Sequence, residues 1–216
     1  MKLFLKFGNF IVLALIFLLG VIFLRETGRL DKLFDKTSKD EIIKSQIDYD
    51  HDGVDDYTDI LNGAREFVEE KPKYKSKYYA GGYPTDGYYV CTDVFWYALK
   101  NAGYDFKTLI DEDIKEHKED YDSDVGDQNI DFRRVRNIKV FLDKYVMSLD
   151  TRDISSYNPG DIVIYDNHIA IVSDVKNKNG ENYIIHHDGY HSYEDNGLFR
   201  KEVLGHYRWE FKDGSK

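Results

Sequence analysis

The chain has 216 residues, 42% of them hydrophobic, which suffices for one domain with a buried core and an N-terminal appendage. Its 40 acidic residues outnumber its 30 basic ones, so the formal net charge is −10. Because phosphate contacts need clustered lysine and arginine, this balance argues against a nucleic-acid-binding protein. A single cysteine excludes an intramolecular disulfide.

The first element in chain order is a hydrophobic N-terminal helix. Phe10–Leu24 is a run of fifteen apolar residues, preceded by Lys6 and ended by Arg25. A helix of that length rises roughly 22 Å, and the residues before it extend the helix towards the roughly 30 Å thickness of the hydrocarbon core. No Ala-x-Ala cleavage site follows. The sequence therefore predicts an uncleaved transmembrane signal anchor over residues 1–25, with a cleaved signal peptide as the alternative.

The orientation of this anchor depends on two opposing signals. A charged stalk is predicted over residues 26–45, and the basic residues at its start outnumber the two lysines before the apolar run. By the positive-inside rule that count favours a cytoplasmic body, whereas a short N-terminal tail with one or two lysines usually stays inside. We expect a single-pass protein of the cell membrane whose domain, residues 46–216, lies outside the cytoplasm.

Residues 48–59 match the twelve-residue calcium loop of an EF-hand. Carboxylates occupy loop positions 1, 3, 5, 9 and 12, and glycine occupies position 6. Aspartate at position 12 is shorter than the usual bidentate glutamate, which weakens or reshapes coordination. We expect a structural calcium ion in an EF-hand-like loop, and no organic cofactor; the alternative is an acidic, solvated turn. The predicted ligands are Asp48, Asp50, Asp52, Val54, Asp56 and Asp59.

The single cysteine, Cys91, lies where a loop rich in Gly, Pro and Tyr runs into a predicted helix. Apolar residues at Val94, Ala98 and Ala102 recur at helical spacing, and Gly103 ends the helix. Free N–H groups and the positive dipole end of a helix N-terminus stabilise a thiolate and can bind an oxyanion. The pattern predicts a reactive Cys91 with a lowered pKa, in preference to a buried structural cysteine.

Histidines at the ends of two predicted strands are the candidate bases. His168 heads one strand of a hairpin, and the strand that follows, Tyr183–Ile185, runs into His186 and His187. Because successive strand residues point to opposite faces, only one of His186 and His187 can face His168 and fix its tautomer. Structural histidines and a zinc site are the alternatives, although no Cys pair or HExxH spacing supports zinc.

Seven segments of the chain, taken together and in order, carry a family resemblance. They are Gly82–Pro84, Val90–Val94, Asn101–Asp105, Asn129–Val135, Pro159–Val163, His168–Asp174 and Gly205–Arg208. The chain resembles, over about residues 46–210, the bacterial domain-of-unknown-function family 1287, which is placed with the NlpC-type, papain-like cysteine peptidases. The resemblance implies an α+β fold in which the helix that bears the cysteine packs on an antiparallel β-sheet.

The resemblance also implies roles for individual residues. Cys91 corresponds to the nucleophile, His168 to the base and His186 to the orienting residue; His187, where many relatives carry asparagine, is the second candidate for that last role. Tyr83 is a candidate for holding the oxyanion or contacting the substrate. NlpC-type enzymes commonly cut amide bonds in peptidoglycan stem peptides, so the resemblance implies a cysteine-dependent amide hydrolase acting on the cell wall.

Two other functions remain open. The same Cys–His pair supports acyl or peptidyl transfer, because hydrolysis and transfer share an acyl-enzyme. Alternatively, the domain is a non-catalytic, calcium-stabilised module that binds the cell wall, with an inert Cys91. Product analysis with added amines separates the first alternative from hydrolysis, and titration of the thiol tests the second.

Overall fold

The computed structural model describes residues 2–27, 37–191 and 193–212. The first helix, α1, covers Lys2–Glu26. The sequence predicted a transmembrane helix here; within the described ranges, however, no helix is both long enough and apolar enough to span a membrane. Much of the predicted charged stalk, residues 28–36, lies outside the described residues.

The end of the predicted stalk lies against the domain. Strand β1, Ser38–Lys39, pairs antiparallel with Lys176 and Val175 of the main sheet. The backbone N–H of Ile43 then donates to the side-chain oxygen of Asn158 at 2.8 Å. Residues 37–45 therefore extend the sheet and join the domain instead of standing apart from it.

Four further helices cover the described domain, and polar N-caps set where two of them begin. They are α2 (Asp56–Glu69), α3 (Cys91–Asn101), α4 (Phe106–Glu116) and α5 (Val135–Tyr145). The carboxylate of Asp55 accepts the N–H of Thr58 at the start of α2, and Asp105 accepts that of Thr108 at the start of α4. Such side chains satisfy N–H groups that have no partner within the helix. Short 3₁₀ turns cover Lys118–Asp120, Asp131–Arg133 and Ile154–Ser156.

The main sheet is antiparallel, with strand order β4-β9-β5-β6-β7-β8 and β1 added beside β6. Its strands are β4 (Val146–Ser148), β5 (Ile162–Tyr165), β6 (His168–Lys176), β7 (Asn182–Ile185), β8 (Glu194–Asp195) and β9 (Gly205–Phe211). Two short strands, β2 (Lys73–Tyr74) and β3 (Tyr88–Tyr89), pair in parallel just before α3. The register pairs Tyr165 with His168, so a two-residue turn joins β5 to β6.

Alternation along the strands builds a core on each face of the sheet. Ile169, Ile171 and Ile185 pack in the larger cluster together with Cys91 and the apolar face of α3. Ala170 and Ile184 point to the opposite face, where they pack under the loops that carry Tyr157, Leu198 and Val203. The predicted α+β fold with an antiparallel sheet is confirmed, and the helix that begins at Cys91 packs on that sheet.

Two of the seven segments meet in a buried ionic cluster. The carboxylate of Asp161, just before β5, accepts from His206 Nε2 at 2.8 Å and from Arg208 Nε at 2.8 Å, both on β9. The ring of Tyr157 stacks on His206 with centroids 3.9 Å apart. Since no charge in this cluster lacks a counter-charge or hydrogen bond, it fixes β5 against β9 and has a structural role.

Candidate functional site

Cys91 is the first residue of α3, as the sequence predicted. Val90, the N-cap, is extended at φ −133° and ψ 179°, and its N–H donates to Asp93 Oδ2 at 2.7 Å. The carboxylate of Asp93 therefore reaches back over the first turn, in the manner of a capping box. Cys91 is only 7% exposed, because α3 presses this end against the sheet.

A buried ion pair holds the start of α3 in place. Arg133 donates through Nε to Asp93 Oδ1 and through Nη2 to Asp93 Oδ2, each at 2.8 Å. Asp93 also accepts from Trp96 Nε1 at 2.8 Å, and Arg133 donates to the carbonyl of Lys77 at 3.0 Å. Sequence reasoning missed this pair, although Asp93 and Arg133 both lie in segments that carry the resemblance. The position of the thiol depends on it.

The protonation of the thiol differs from the expectation. Burial raises the pKa of Cys91 to about 11, and the nearby charge of Asp93 adds to the rise. Backbone hydrogen bonds from Ile169 and Thr92 lower the pKa, but they do not offset the loss of water around the sulfur. The predicted lowering of the pKa by the helix N-terminus is therefore wrong, and Cys91 is a thiol at neutral pH.

His168 and His186 are in contact. Nε2 of His168 lies 2.9 Å from Nδ1 of His186, with the two rings almost perpendicular. His187 points to the other face, where its ring packs against Tyr74 and Tyr193. Of the two histidines that the sequence left open as partners of His168, the structure brings His186 to it.

Burial also governs the charge on His168. It lowers the pKa of the imidazole to about 3, with the neighbouring His186 contributing in the same direction. Neutral imidazole is the form that can accept a proton from a thiol. Between about pH 3 and about pH 11, Cys91 and His168 are therefore both uncharged at rest.

No hydrogen bond among the described residues joins Cys91 to His168. Strand β7 ends at Ile185, opposite Ile171, so the first residues of β6 have no β7 partner. The backbone of Ile169, the residue after His168, lies close enough to Cys91 to lower the pKa of its thiol. The His168 ring itself lies beside Tyr165.

Two cavities lie beside the histidines. His168 and His186 line a cavity of about 210 Å³ together with Asp188 and His191. A larger cleft of about 630 Å³ is lined by His187 and three tyrosines. Tyr74 lines both cavities, and the charge of Cys91 is, after burial, a cause of the raised pKa of Tyr74. Sequence reasoning missed Tyr74, because a two-residue strand in a Lys- and Tyr-rich stretch has no periodic signal.

Tyr83 lies away from the thiol. Its ring packs on Trp96 and Phe132, and its hydroxyl lies 3.4 Å from Asp105 Oδ1 at the N-cap of α4. These contacts hold the hydroxyl at the start of α4, whereas Cys91 is at the start of α3. The role predicted for Tyr83 at the oxyanion therefore has no support in its contacts.

The acidic loop brings three of its predicted ligands together. Carboxylate oxygens of Asp48, Asp50 and Asp52 all lie within 4.8 Å of one another, close enough to share one cation. Gly53, with a positive φ of 96°, makes the turn and donates its N–H to Asp48 Oδ2 at 3.0 Å. Val54 donates its N–H to Asp52 Oδ1 at 2.8 Å.

The other two predicted carboxylates differ from each other. Asp56 is turned inward, where it accepts from Tyr104 Oη at 2.6 Å and from the N–H of Tyr49 at 2.9 Å. Asp59 is buried, and burial together with the charges of Asp52 and Asp50 raises its pKa to about 7. A cation placed among these carboxylates would offset that repulsion.

The loop is not part of an EF-hand. Helix α2 begins at Asp56 and follows the loop, but the described residues just before it, 40–47, form no helix. An EF-hand needs a helix on each side of the loop. Here the preceding segment is tied down instead, because the N–H of Ser45 donates to Asp55 Oδ1 at 2.9 Å. The loop therefore matches the EF-hand calcium loop in its sequence and in the helix that follows it, and among the described residues it lacks the helix that precedes the loop in an EF-hand.

The low pKa of His168 predicts acid sensitivity. The folded domain keeps His168 neutral down to about pH 3, whereas the unfolded chain takes up the proton near the ordinary value of 6.5. Because the unfolded state binds more protons in that window, the free energy of unfolding falls as the pH drops from 6.5 towards 3. We expect His168→Gln to make this fall shallower, measured by urea unfolding at about pH 7.5 and about pH 4.5.

The matched control is His117→Gln. This histidine follows the last residue of α4, and its side chain is 44% exposed. The fall in stability with decreasing pH should be shallower in His168→Gln than in His117→Gln. Equal slopes in the unaltered protein and in His168→Gln would contradict the prediction.

Residues 61–209 match a family model described as "Domain of unknown function (DUF1287)", which spans well over half of the chain. The chain is also similar to "Uncharacterized protein YijF" of Escherichia coli (strain K12), at 32% identity over 167 residues, covering 71% of this chain and 82% of that protein. No solved structure matches the chain. Cys91, His168 and His186 all lie within the matched region. The chain belongs to the DUF1287 family.

Proposed function

We propose that the domain is a cysteine-dependent amide hydrolase of papain-like, NlpC type. One observation carries the proposal: the thiol at the start of α3 lies near the backbone of Ile169, the residue next to His168, and His168 is in contact with His186. Nε2 of His168 contacts Nδ1 of His186, so in this proposal Nδ1 of His168 is the nitrogen that accepts the proton of the thiol. A nucleophile beside a base that a third residue orients is the arrangement of a catalytic triad.

In the proposed reaction the sulfur of Cys91 attacks the carbonyl carbon of an amide while its proton passes to Nδ1 of His168. Transfer accompanies attack because thiol and imidazole are both uncharged at rest. The N–H groups in the first turn of α3 stabilise the oxyanion. His168 then protonates the leaving amine as the C–N bond breaks. Water, activated by His168, hydrolyses the thioester, releases the acid and restores the thiol.

The substrate we propose is a peptidoglycan stem peptide. The cleft of about 630 Å³ presents the rings of Tyr74 and Tyr190 together with both signs of charge, from Arg65, Lys73 and Glu69. Stem peptides carry free amines as well as carboxylates, so a cleft of mixed charge suits them. We accordingly propose a location outside the cytoplasmic membrane, for which the apolar run Phe10–Leu24 is the sequence argument.

Digestion of purified peptidoglycan tests this proposal. The full chain is incubated with peptidoglycan, and the released fragments are identified by mass spectrometry. We expect new pairs of free carboxyl and amino ends at one type of amide bond. Adducts with an added amine would instead indicate acyl transfer, and binding to peptidoglycan without cleavage would indicate a wall-binding module.

We also propose that loop 48–59 binds one calcium ion through Asp48, Asp50 and Asp52, with Asp59 close enough to add charge. Two observations support this proposal: the three carboxylates converge, and burial together with the charges of Asp52 and Asp50 raises the pKa of Asp59. The ion would have a structural role, since it would link the loop to the start of α2.

Calcium is therefore expected to raise the melting temperature, and a chelator to lower it. Binding only to the folded state stabilises it by about 2.7 kcal/mol when free calcium is 100 times its Kd. Thermal melts with calcium, magnesium and EDTA measure this effect. Asp50→Asn should remove most of the calcium response, whereas Asp111→Asn, which alters a carboxylate of α4 paired with Lys115, should keep it. A calcium response unchanged in Asp50→Asn would contradict the assignment.

A further inference from the structure

We propose that Asp195 is a positioning residue that fixes the tautomers of His186 and His168. The inference deepens the proposed hydrolase and rests on it, but its structural part can be tested without any substrate. Asp195 belongs to β8 and lies opposite Ile184 of β7, beside the strand that leads into His186. Nothing in the linear sequence signals this role, because Asp195 follows a loop of mixed composition.

Asp195 and His186 face each other in the interior. Oδ1 of Asp195 lies 3.5 Å from Nε2 of His186, and the two side chains are 0% and 2% exposed. Neither atom has a hydrogen-bond partner within the described part of the chain, so each is free to pair with the other. A buried polar atom without a hydrogen-bond partner destabilises the fold, and here each of the two atoms lies where it could satisfy the other.

The surroundings give Asp195 a counter-charge and space. Nη2 of Arg200 lies 2.9 Å from Asp195 Oδ2, which supplies a counter-charge on the side away from His186. Gly197 makes the room, since a Cβ there would lie 2.6 Å from Asp195 Oδ1. The N–H of Gly197 also donates to the carbonyl of Asp195 at 2.9 Å, which holds the turn closed.

The order of protons follows from which groups can donate. An ionised carboxylate only accepts, so Nε2 of His186 carries the hydrogen and Nδ1 of neutral His186 is an acceptor. Nε2 of His168, 2.9 Å from that Nδ1, must then donate. Neutral His168 is left with its lone pair on Nδ1, the nitrogen to which the proposed reaction assigns the proton of the thiol. Asp195 thereby selects the tautomer in which His168 can act as a base.

The direct test is ¹⁵N NMR of histidine-labelled protein, which reports which ring nitrogen carries the hydrogen. For the unaltered protein we expect the Nε2–H form of both His168 and His186. In Asp195→Asn, the amide can donate as well as accept, so it no longer requires a hydrogen on Nε2 of His186. Both rings should then shift towards a mixture of tautomers. We expect kcat to fall roughly 10- to 100-fold with KM little changed, the size seen when an outer partner of a functional histidine is lost.

Arg200→Gln separates positioning from a merely structural role. It breaks the same ion pair but leaves the carboxylate facing His186, so the tautomers should stay as in the unaltered protein. Matching tautomer changes in Asp195→Asn and Arg200→Gln would overturn the inference, as would an Nδ1–H form of His168 in the unaltered protein. If the tautomers are as expected and peptidoglycan is not cleaved, the proposed function fails and the positioning role stands.

Discussion

Replacement of Cys91 by alanine is expected to abolish hydrolysis while the domain stays folded. Without the sulfur no acyl-enzyme can form, and loss of the nucleophile of a triad lowers kcat by roughly 10⁴-fold or more. The change removes one atom from a side chain that is 7% exposed, so the packing of α3 on the sheet should survive. Fragment release from peptidoglycan measures the loss, and thermal melts with and without calcium verify the fold.

A pair of tyrosine variants is the matched control for this experiment. Tyr83→Phe removes a hydroxyl that lies at Asp105, and it should leave turnover intact. Tyr74→Phe alters the ring that lines both cavities and whose pKa the charge of Cys91 raises, and it should lower turnover. Persistent hydrolysis in Cys91→Ala would rule out the mechanism.

Replacement of Arg133 by alanine is expected to cause the largest loss of stability. Its side chain is 2% exposed and that of Asp93 is 0% exposed, so the change leaves a carboxylate buried without its counter-charge. Removing one partner of a buried pair costs about 3–5 kcal/mol. A domain of this kind has only about 5–15 kcal/mol in total, so the loss is a large fraction of it. Urea unfolding midpoints measure it.

Arg136→Ala is the control, because it removes the same guanidinium group from an exposed site instead of a buried one. Arg136 is 49% exposed and pairs with Asp122 and Asp124 at the surface. Exposed ion pairs contribute little to stability, so the unfolding midpoint should hardly move. Similar losses in the two variants would show that the Asp93–Arg133 pair is not what holds the start of α3.

Local patterns in the sequence were enough to predict much of the architecture. Apolar spacing after Cys91 predicted a helix that ends at Gly103, and the structure has α3 at Cys91–Asn101. Apolar runs on both sides of Asp166-Asn167 predicted the β5–β6 hairpin, whose register pairs Tyr165 with His168. These signals are readable because neighbours along the chain determine them.

Contacts between distant residues were not predictable in the same way. Asp93 and Arg133 are 40 positions apart, and Asp195 reaches His186 only because β8 folds back on β7. Periodicity gives the face of a strand, but it does not give which side chain the next element places against that face. The predicted direction of the Cys91 pKa shift was wrong for a related reason. The sequence shows a helix N-terminus, which is a local feature, whereas the burial that raises the pKa depends on the whole fold.

The strand order also constrains how the domain can form during synthesis. Strand β9, Gly205–Phe211, is the last strand in the chain, yet it lies between β4 and β5 and pairs with both. Until it arrives, β4 has no strand beside it and one edge of β5 stays open. A ribosome-bound chain that lacks these residues therefore exposes a gap in the middle of its sheet, and native structure can close only after residue 211 has left the exit tunnel.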